Sequence, residues 1–385
     1  MRRLVALALP GGPAFVEHLL GAWDAGDAVL PVDLRLAEAA RDRLFAATRP
    51  ACVVDDEGNE HALAGGEPVE EGDALVMATS GTTGEPKGVV LTHSAVAASA
   101  RATSARLAVD AGADVWWACL QLSHVGGLSV VTRSLVEGVR CEVVGGFSAE
   151  GAQEALDRGV TLTSLVPTTL RRLTPAVAGR FRRILLGGQE PPAVVAPNVV
   201  TTYGLTESGS GVVYDGRPLD GVEARIIGGE IQLRGPMLLR AYRDGSDPKD
   251  AGGWLATRDG GEIGPDGLLS VHGRLSEMIV SGGEHIWPTA VESVLLRHPA
   301  VTAAGVAGVA DDEWGERVVA YVVAAPGFAV GARRMLEELR DLVRSEIAPF
   351  AAPRQVVIVE CLPRTALGKI RRDRLGALQG QSAGM

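Results

Sequence analysis

Ten consecutive residues, Thr79-Ser80-Gly81-Thr82-Thr83-Gly84-Glu85-Pro86-Lys87-Gly88, constrain this chain more than any other stretch. They follow an apolar run, Ala74 to Ala78, that reads as a buried strand, and they precede Thr92 to Leu107, which reads as a helix capped by Thr92 or Ser94. Glycines let backbone N–H groups converge on an anion, the hydroxyls of Ser80, Thr82 and Thr83 add donors, and Lys87 adds positive charge. Such a loop suits a polyphosphate. A Walker A loop needs Gly-Lys-Ser/Thr, whereas here Pro86 precedes Lys87 and Gly88 follows it, which argues against a P-loop kinase or GTPase. An ordinary Gly-rich turn is the plain alternative, and the number of specific positions in a strand-to-helix setting tells against it.

The rest of the chain has the rhythm that such a loop needs. Apolar positions at helical spacing from Ala14 to Pro50 are interrupted by Gly26 and a strand-like Ala28 to Val32, after an opening strand within Met1 to Leu9 that Pro10-Gly11-Gly12 cuts short of a signal peptide. Thr163 to Val166 and Arg183 to Leu186 read as further buried strands. Alternating β and α elements predict an α/β fold with mostly parallel sheets covered by helices. After about Ile226 the texture changes to short β segments with Gly-rich turns, such as Glu230 to Arg234 and Leu268 to Val271, which suits a small β subdomain. Then Val301 to Val309 and Arg317 to Ala324 read as a strand pair, and Met335, Leu336, Leu339, Leu342, Val343 and Ile347 mark one helix face. At 385 residues the chain exceeds what one core supports. We expect a large domain over 1–273 and a small, mobile α+β domain over 274–385.

Net charge is −10 and no dense Lys/Arg block occurs, so nucleic acid is not an expected partner. Cys52, Cys119, Cys141 and Cys361 are scattered without a CxxC pair, pointing to a reducing, cytoplasmic setting rather than to zinc or disulfides. No stretch is long and apolar enough to predict a membrane span.

The loop resembles the signature of the adenylate-forming superfamily of acyl-CoA synthetases, luciferases and peptide-synthetase adenylation domains. Further motifs recur in that superfamily's order: Gly187-Gly188-Gln189, Tyr203-Gly204-Leu205-Thr206-Glu207, Trp254 to Asp259, Gly273-Arg274, Ser281-Gly282-Gly283-Glu284 and Pro363-Arg364-Thr365-Ala366-Leu367-Gly368-Lys369. The resemblance implies ATP, Mg²⁺ and CoA as cofactor and co-substrates, and a reaction through an acyl-adenylate. By position it implies that Lys369 bridges the carboxylate and the α-phosphate, that Glu207 binds Mg²⁺, and that Thr206 donates to the α-phosphate. Thr79, Ser80, Gly81, Thr82, Thr83, Gly84, Lys87, Gly188, Tyr203 and Gly204 would surround the nucleotide, Tyr203 against adenine. Asp259 and Arg274 would hold the ribose hydroxyls.

Two departures accompany these matches. The family's Thr-Gly-Asp is Thr257-Arg258-Asp259 here, and its Asp or Lys hinge is matched by Ser276. Ser281, Gly282 and Gly283 match the segment facing the pantetheine arm of CoA, a bare hairpin turn being the plainer reading. His124 matches a position beside the acyl pocket. The remaining pocket wall would come from Ser164 to Thr168, Gly187 to Gln189 and Ser208 to Tyr214. Arg133 and Arg217 are candidates for a second substrate carboxylate, with surface or interface ion pairing the plainer account of each.

Within the superfamily, the short N-terminal domain, the stretch Thr202 to Val222, and His124-Val125-Gly126-Gly127 followed by Arg133-Ser134 are similar to actinobacterial 2-succinylbenzoate:CoA ligases. A ligase for another aromatic or short-chain acid, a stand-alone adenylation domain loading a carrier protein, and a nonenzymatic acyl-adenylate binder stand as alternatives, and a homodimer stays open. No Gly-x-Ser-x-Gly elbow occurs, which disfavours a serine hydrolase.

Overall fold

The computed structural model describes residues 2–80, 86–192, 194–326, 332–364 and 370–380. The chain divides into two compact units. One comprises 1–225, 232–257 and 265–269; the other comprises 226–231, 258–264 and 270–385.

The first unit is built on two seven-stranded sheets. In one, the strands Leu4–Leu7, Ala28–Pro31 and Cys52–Val54 run parallel, and Ala28–Pro31 lies parallel to Asp73–Ser80. Their side chains are mostly apolar and buried, as a sheet covered on both faces requires. In the other, Val199–Leu205, Arg183–Leu186, Leu162–Leu165, Val115–Ala118 and Arg140–Val143 are parallel neighbours, extended by the antiparallel strand Ser210–Tyr214. Trp117 anchors its core, with ring centroids 6.0 Å from Phe147 and 6.4 Å from Phe181. Helix His93–Leu107 begins where Thr92 Oγ1 accepts the Ala95 N–H at 3.1 Å, the capping bond read from the sequence. Its Thr103 hydroxyl meets Tyr214 Oη at 3.0 Å in the interior.

One connection differs from expectation. The element after the Gly/Ser/Thr stretch is a strand and not a helix: Thr79 pairs with Lys87 and Ser80 with Pro86, antiparallel. The returning strand, Pro86–Thr92, precedes the helix. Its Val89-Val90-Leu91 run is apolar and buried, with two β-branched valines, and burying it as a strand beside Asp73–Ser80 outweighs continuing the loop.

Segment 223–274 forms a four-stranded sheet, ordered Glu223–Ile227, Glu230–Arg234, Leu255–Ile263, Leu269–Arg274. In the second unit, Val301–Asp311 and Gly315–Ala324 make the long hairpin expected, and Gln355–Ile358 joins it in parallel. Helix Ala332–Glu346 packs Met335, Leu339 and Val343 wholly inside, three side chains worth about 1.5–3 kcal/mol each. Ile347 departs from that face: it lies past the helix end and is exposed.

Candidate active site

In the first unit the expected residues gather at strand ends. Strand Val199–Leu205 passes into a tight turn, Thr206–Ser208, so Thr206 and Glu207 stand at its tip. The buried Ser208 hydroxyl holds the turn by accepting the Leu205 N–H at 2.8 Å, and the Glu207 carbonyl accepts the Leu239 N–H at 2.7 Å. Glu207 Oε1 accepts a hydrogen bond from Tyr242 Oη at 3.0 Å. Lys87 Nζ lies 4.9 Å from the centre of the same ring. A cation and a carboxylate are thus held on one tyrosine, which strand Ala241–Tyr242 brings beside Val89. Lys87 also helps hold the Asp244 carboxyl below its usual range, after the larger effects of Ser246's hydroxyl and backbone N–H. Tyr242 belongs to none of the motifs, and its role could not be read without the pairing of residues 241–242 with 89–90.

Tyr203 and Gly204 flank an irregularity in strand pairing, where a Cβ on Gly204 would stand 2.1 Å from Ser210 O. Gly188 follows strand Arg183–Leu186. Thr79 and Ser80 end strand Asp73–Ser80. Gly81, Thr82, Thr83 and Gly84 lie outside the described residues.

His124 caps helix Val125–Glu137 by position rather than by a side-chain bond. Its Nε2 is buried without a partner, and burial pulls its pKa down, Asp33 opposing and Arg35 adding. The imidazole is therefore neutral at pH 7. On the same helix Arg133 is 1% exposed. Its Nε and Nη1 have no hydrogen-bond partner, and its guanidinium lies 5.0 Å from the Trp116 ring centre. Burial lowers its pKa, and no carboxylate among the described residues answers its charge. The ion pair expected for it is not formed among the described residues. Arg133 borders a pocket lined by Leu75, Leu91, Ser99, Leu128, Ser129 and Thr132, which also reaches Gly209 beyond the Glu207 turn. Two helices, His93–Leu107 and Val125–Glu137, supply most of that wall. Arg217 is exposed.

In the second unit Asp259 is buried and its Oδ1 lies 3.1 Å from Arg274 Nε, joining the two expected ribose contacts. Arg258 adopts φ 62°, the left-handed conformation that glycine tolerates, and its N–H donates to Glu230 Oε1 at 2.7 Å. Ser276 is exposed within the turn Leu275–Glu277. Ser281 ends a strand whose hairpin with Glu284–Ile286 turns through Gly282 and Gly283 at φ 61° and 85°. A two-residue turn needing positive φ twice explains both glycines without CoA. Lys369 lies outside the described residues. Among the described residues around it, Arg364 and Ile370 form an antiparallel bridge and the Arg371 N–H donates to Pro363 O at 2.8 Å. Arg372 binds Glu277 at 2.6 Å and Glu292 at 2.7 Å.

No cluster of three or more metal-binding side chains occurs among the described residues. Glu207 fits Mg²⁺ in another way. One oxygen is taken by Tyr242 and the other has no partner among the described residues, which suits a hard cation completing its shell with phosphate and water.

A model of the AMP-binding enzyme family matches residues 63–243, and that of the AMP-binding enzyme C-terminal domain matches 290–369. A probable 2-succinylbenzoate–CoA ligase of Mycobacterium tuberculosis is 38% identical over 362 residues, 87% of this chain and 93% of the relative. The chain belongs to the AMP-binding enzyme family. A 2-succinylbenzoate–CoA ligase of Geobacillus is 34% identical over 343 residues, 79% of this chain and 69% of its own. Among solved members, the Bacillus subtilis o-succinylbenzoate CoA synthetase (MenE) in complex with the acyl-adenylate OSB-AMP superposes with TM-score 0.84 at 28% identity, over 97% of this chain and 88% of that one. ATP-bound MatB from Rhodopseudomonas palustris, at 22% identity and TM-score 0.85 over 97% and 88%, shares the fold. The α/β architecture expected from the sequence is that of the AMP-binding enzymes.

Proposed function

We propose that this AMP-binding enzyme is an ATP-dependent carboxylic acid:CoA ligase that forms an acyl-adenylate, with 2-succinylbenzoate as its acid. Activating a carboxylate brings an anion to a phosphate, so the site must supply positive charge where negative charge gathers. Lys87 and a magnesium ion on Glu207 serve the phosphates, Thr206 the α-phosphate, and Lys369 the forming bond. Tyr203, Gly204 and Gly188 border the adenine, and Asp259 and Arg274 take the ribose. His124, neutral and unpartnered, orients the carboxylate or gates the thiol of CoA, which arrives along Ser281 to Gly283. Magnesium supplies charge neutralisation on the phosphates.

Buried, unpaired Arg133 carries the choice of acid. An uncompensated buried guanidinium is costly, and a substrate with a second carboxylate would pair it. 2-Succinylbenzoate has one carboxylate to activate and one to bind, and relatives named for it match most of this chain. The domain boundary near residue 274, with rotation about Ser276, is part of the same reading, as is a cytoplasmic enzyme whose thiols Cys52 and Cys119 are buried and unbridged. No helix among the described residues is long and apolar enough to cross a membrane.

The test is carboxylate-dependent pyrophosphate release with ATP and Mg²⁺ over a panel of acids, with and without CoA. 2-Succinylbenzoate should outperform 4-oxo-4-phenylbutyrate, which lacks the ring carboxylate, by roughly 10²-fold or more, and Arg133→Ala should erase that gap. Release with an amino acid and no CoA product would favour a carrier-loading adenylation domain. No release with any acid, despite ATP binding, would favour a nonenzymatic binder.

A further inference from the structure

The two ribose contacts lie on neighbouring strands of the four-stranded sheet, Asp259 in Leu255–Ile263 and Arg274 at the end of Leu269–Arg274. Each has a glycine beside it: Gly260 follows Asp259, and Gly273 precedes Arg274. Successive side chains on a strand point to opposite faces, so both glycines open toward the face away from the Asp259–Arg274 pair. That space is filled from outside the sheet. A Cβ built on Gly260 would stand 2.2 Å from Trp287 Cη2 and 2.6 Å from its Cζ2, so the indole occupies the room a side chain at 260 would need. A Cβ on Gly273 would meet Trp287 Cε3 at 3.8 Å and Thr289 Oγ1 at 3.6 Å. The Trp287 and His272 ring centroids are 5.6 Å apart, and the Thr289 hydroxyl donates to His272 O at 2.5 Å. One indole and one hydroxyl thus grip both strands directly behind the ion pair.

We infer that Trp287 is a positioning residue for ribose recognition: in the arrangement in which it is seated on Gly260 and Gly273, it sets the spacing and direction of Asp259 and Arg274, a contact that the proposed rotation about Ser276 releases. The inference rests on the reading of those two residues as the ribose contacts. The 3.1 Å approach of their side chains depends on how closely the two strands lie, and the indole is the body packed against both. Without it, or with a methyl group forced into its socket, the strands shift and the carboxylate loses its aim at the ribose hydroxyls. Displacements of this kind are felt strongly, because hydrogen bonds weaken steeply with angle and distance.

The experiment is calorimetric binding of AMP and 2′-deoxyAMP to the full chain, beside the KM for the carboxylic acid. The unmodified protein should favour AMP, and Asp259→Asn should abolish the preference. Trp287→Ala should cut the preference roughly tenfold, Trp287→Phe should restore most of it, and Gly260→Ala should reduce it with the indole present, all with the acid's KM unchanged. Should Trp287→Ala fail to fold, Gly260→Ala and Trp287→Phe carry the test. If Trp287→Ala and Gly260→Ala keep the full preference while Asp259→Asn loses it, the positioning role is overturned and the ribose reading stands. If Asp259→Asn also keeps it, the ribose reading fails and takes the inference with it.

Discussion

Arg133 in the first unit and Arg372 in the second are both drawn in from solvent, and they are treated in opposite ways. Arg372 enters its unit to meet Glu277 at 2.6 Å and Glu292 at 2.7 Å, and Glu292 in turn accepts the Val306 N–H at 2.7 Å. Arg133 is buried more completely and meets no carboxylate among the described residues, only the face of Trp116. A buried charge that is paired belongs to the architecture. One that is unpaired costs stability, and such a cost persists where a ligand relieves it. Burial alone therefore does not distinguish structure from function; the partner does.

The sharpest way to break this contrast is to neutralise each arginine with methionine and compare urea unfolding. Arg372→Met removes the cation paired with Glu292, 6% exposed, and should cost about 3–5 kcal/mol, enough to unfold much of the second unit. Arg133→Met removes a cost rather than a partner, so stability should hold or rise by about 1–2 kcal/mol, while the KM for a dicarboxylic acid climbs. Equal destabilisation by both substitutions would mean that Arg133 is structural after all, and the substrate argument would fall with it.

The contrast was only half legible from the amino-acid sequence. Arg133 could be singled out by its position after His124, but whether a carboxylate waits beside it depends on residues far away in the chain, and ion pairing was the plainer expectation. Glu207 and Lys87 were legible because each lies in a local motif. Tyr242, which joins them, was not, because only the pairing of residues 241–242 with 89–90 brings it there. Strand Pro86–Thr92 hid for a related reason: the glycines before it signal a loop, and the buried apolar run after them becomes a strand once Asp73–Ser80 lies alongside. Ile347 continued the helical spacing of Met335 and Leu339, yet the helix ends at Glu346. Local patterns predict local geometry well, and they say least about partners supplied by distant segments.

Arg258 sharpens the comparison at the scale of the backbone, because its departure from the glycine that the superfamily resemblance implies involves conformation instead of charge. At φ 62° a residue with a Cβ carries about 1–2 kcal/mol of steric cost, which glycine would escape. Arg258→Gly also frees the unfolded chain, at a cost of about 0.4–1 kcal/mol, so the net gain should lie between zero and about 1.6 kcal/mol. The N–H bond to Glu230 survives the substitution, and the arginine side chain is exposed, where its contacts contribute little. Urea unfolding of Arg258→Gly should therefore move the midpoint slightly upward, with AMP affinity held because Asp259 keeps its place. A loss of stability instead would show that the arginine side chain does more than tolerate its backbone, and would make it a third arginine whose partner decides its meaning.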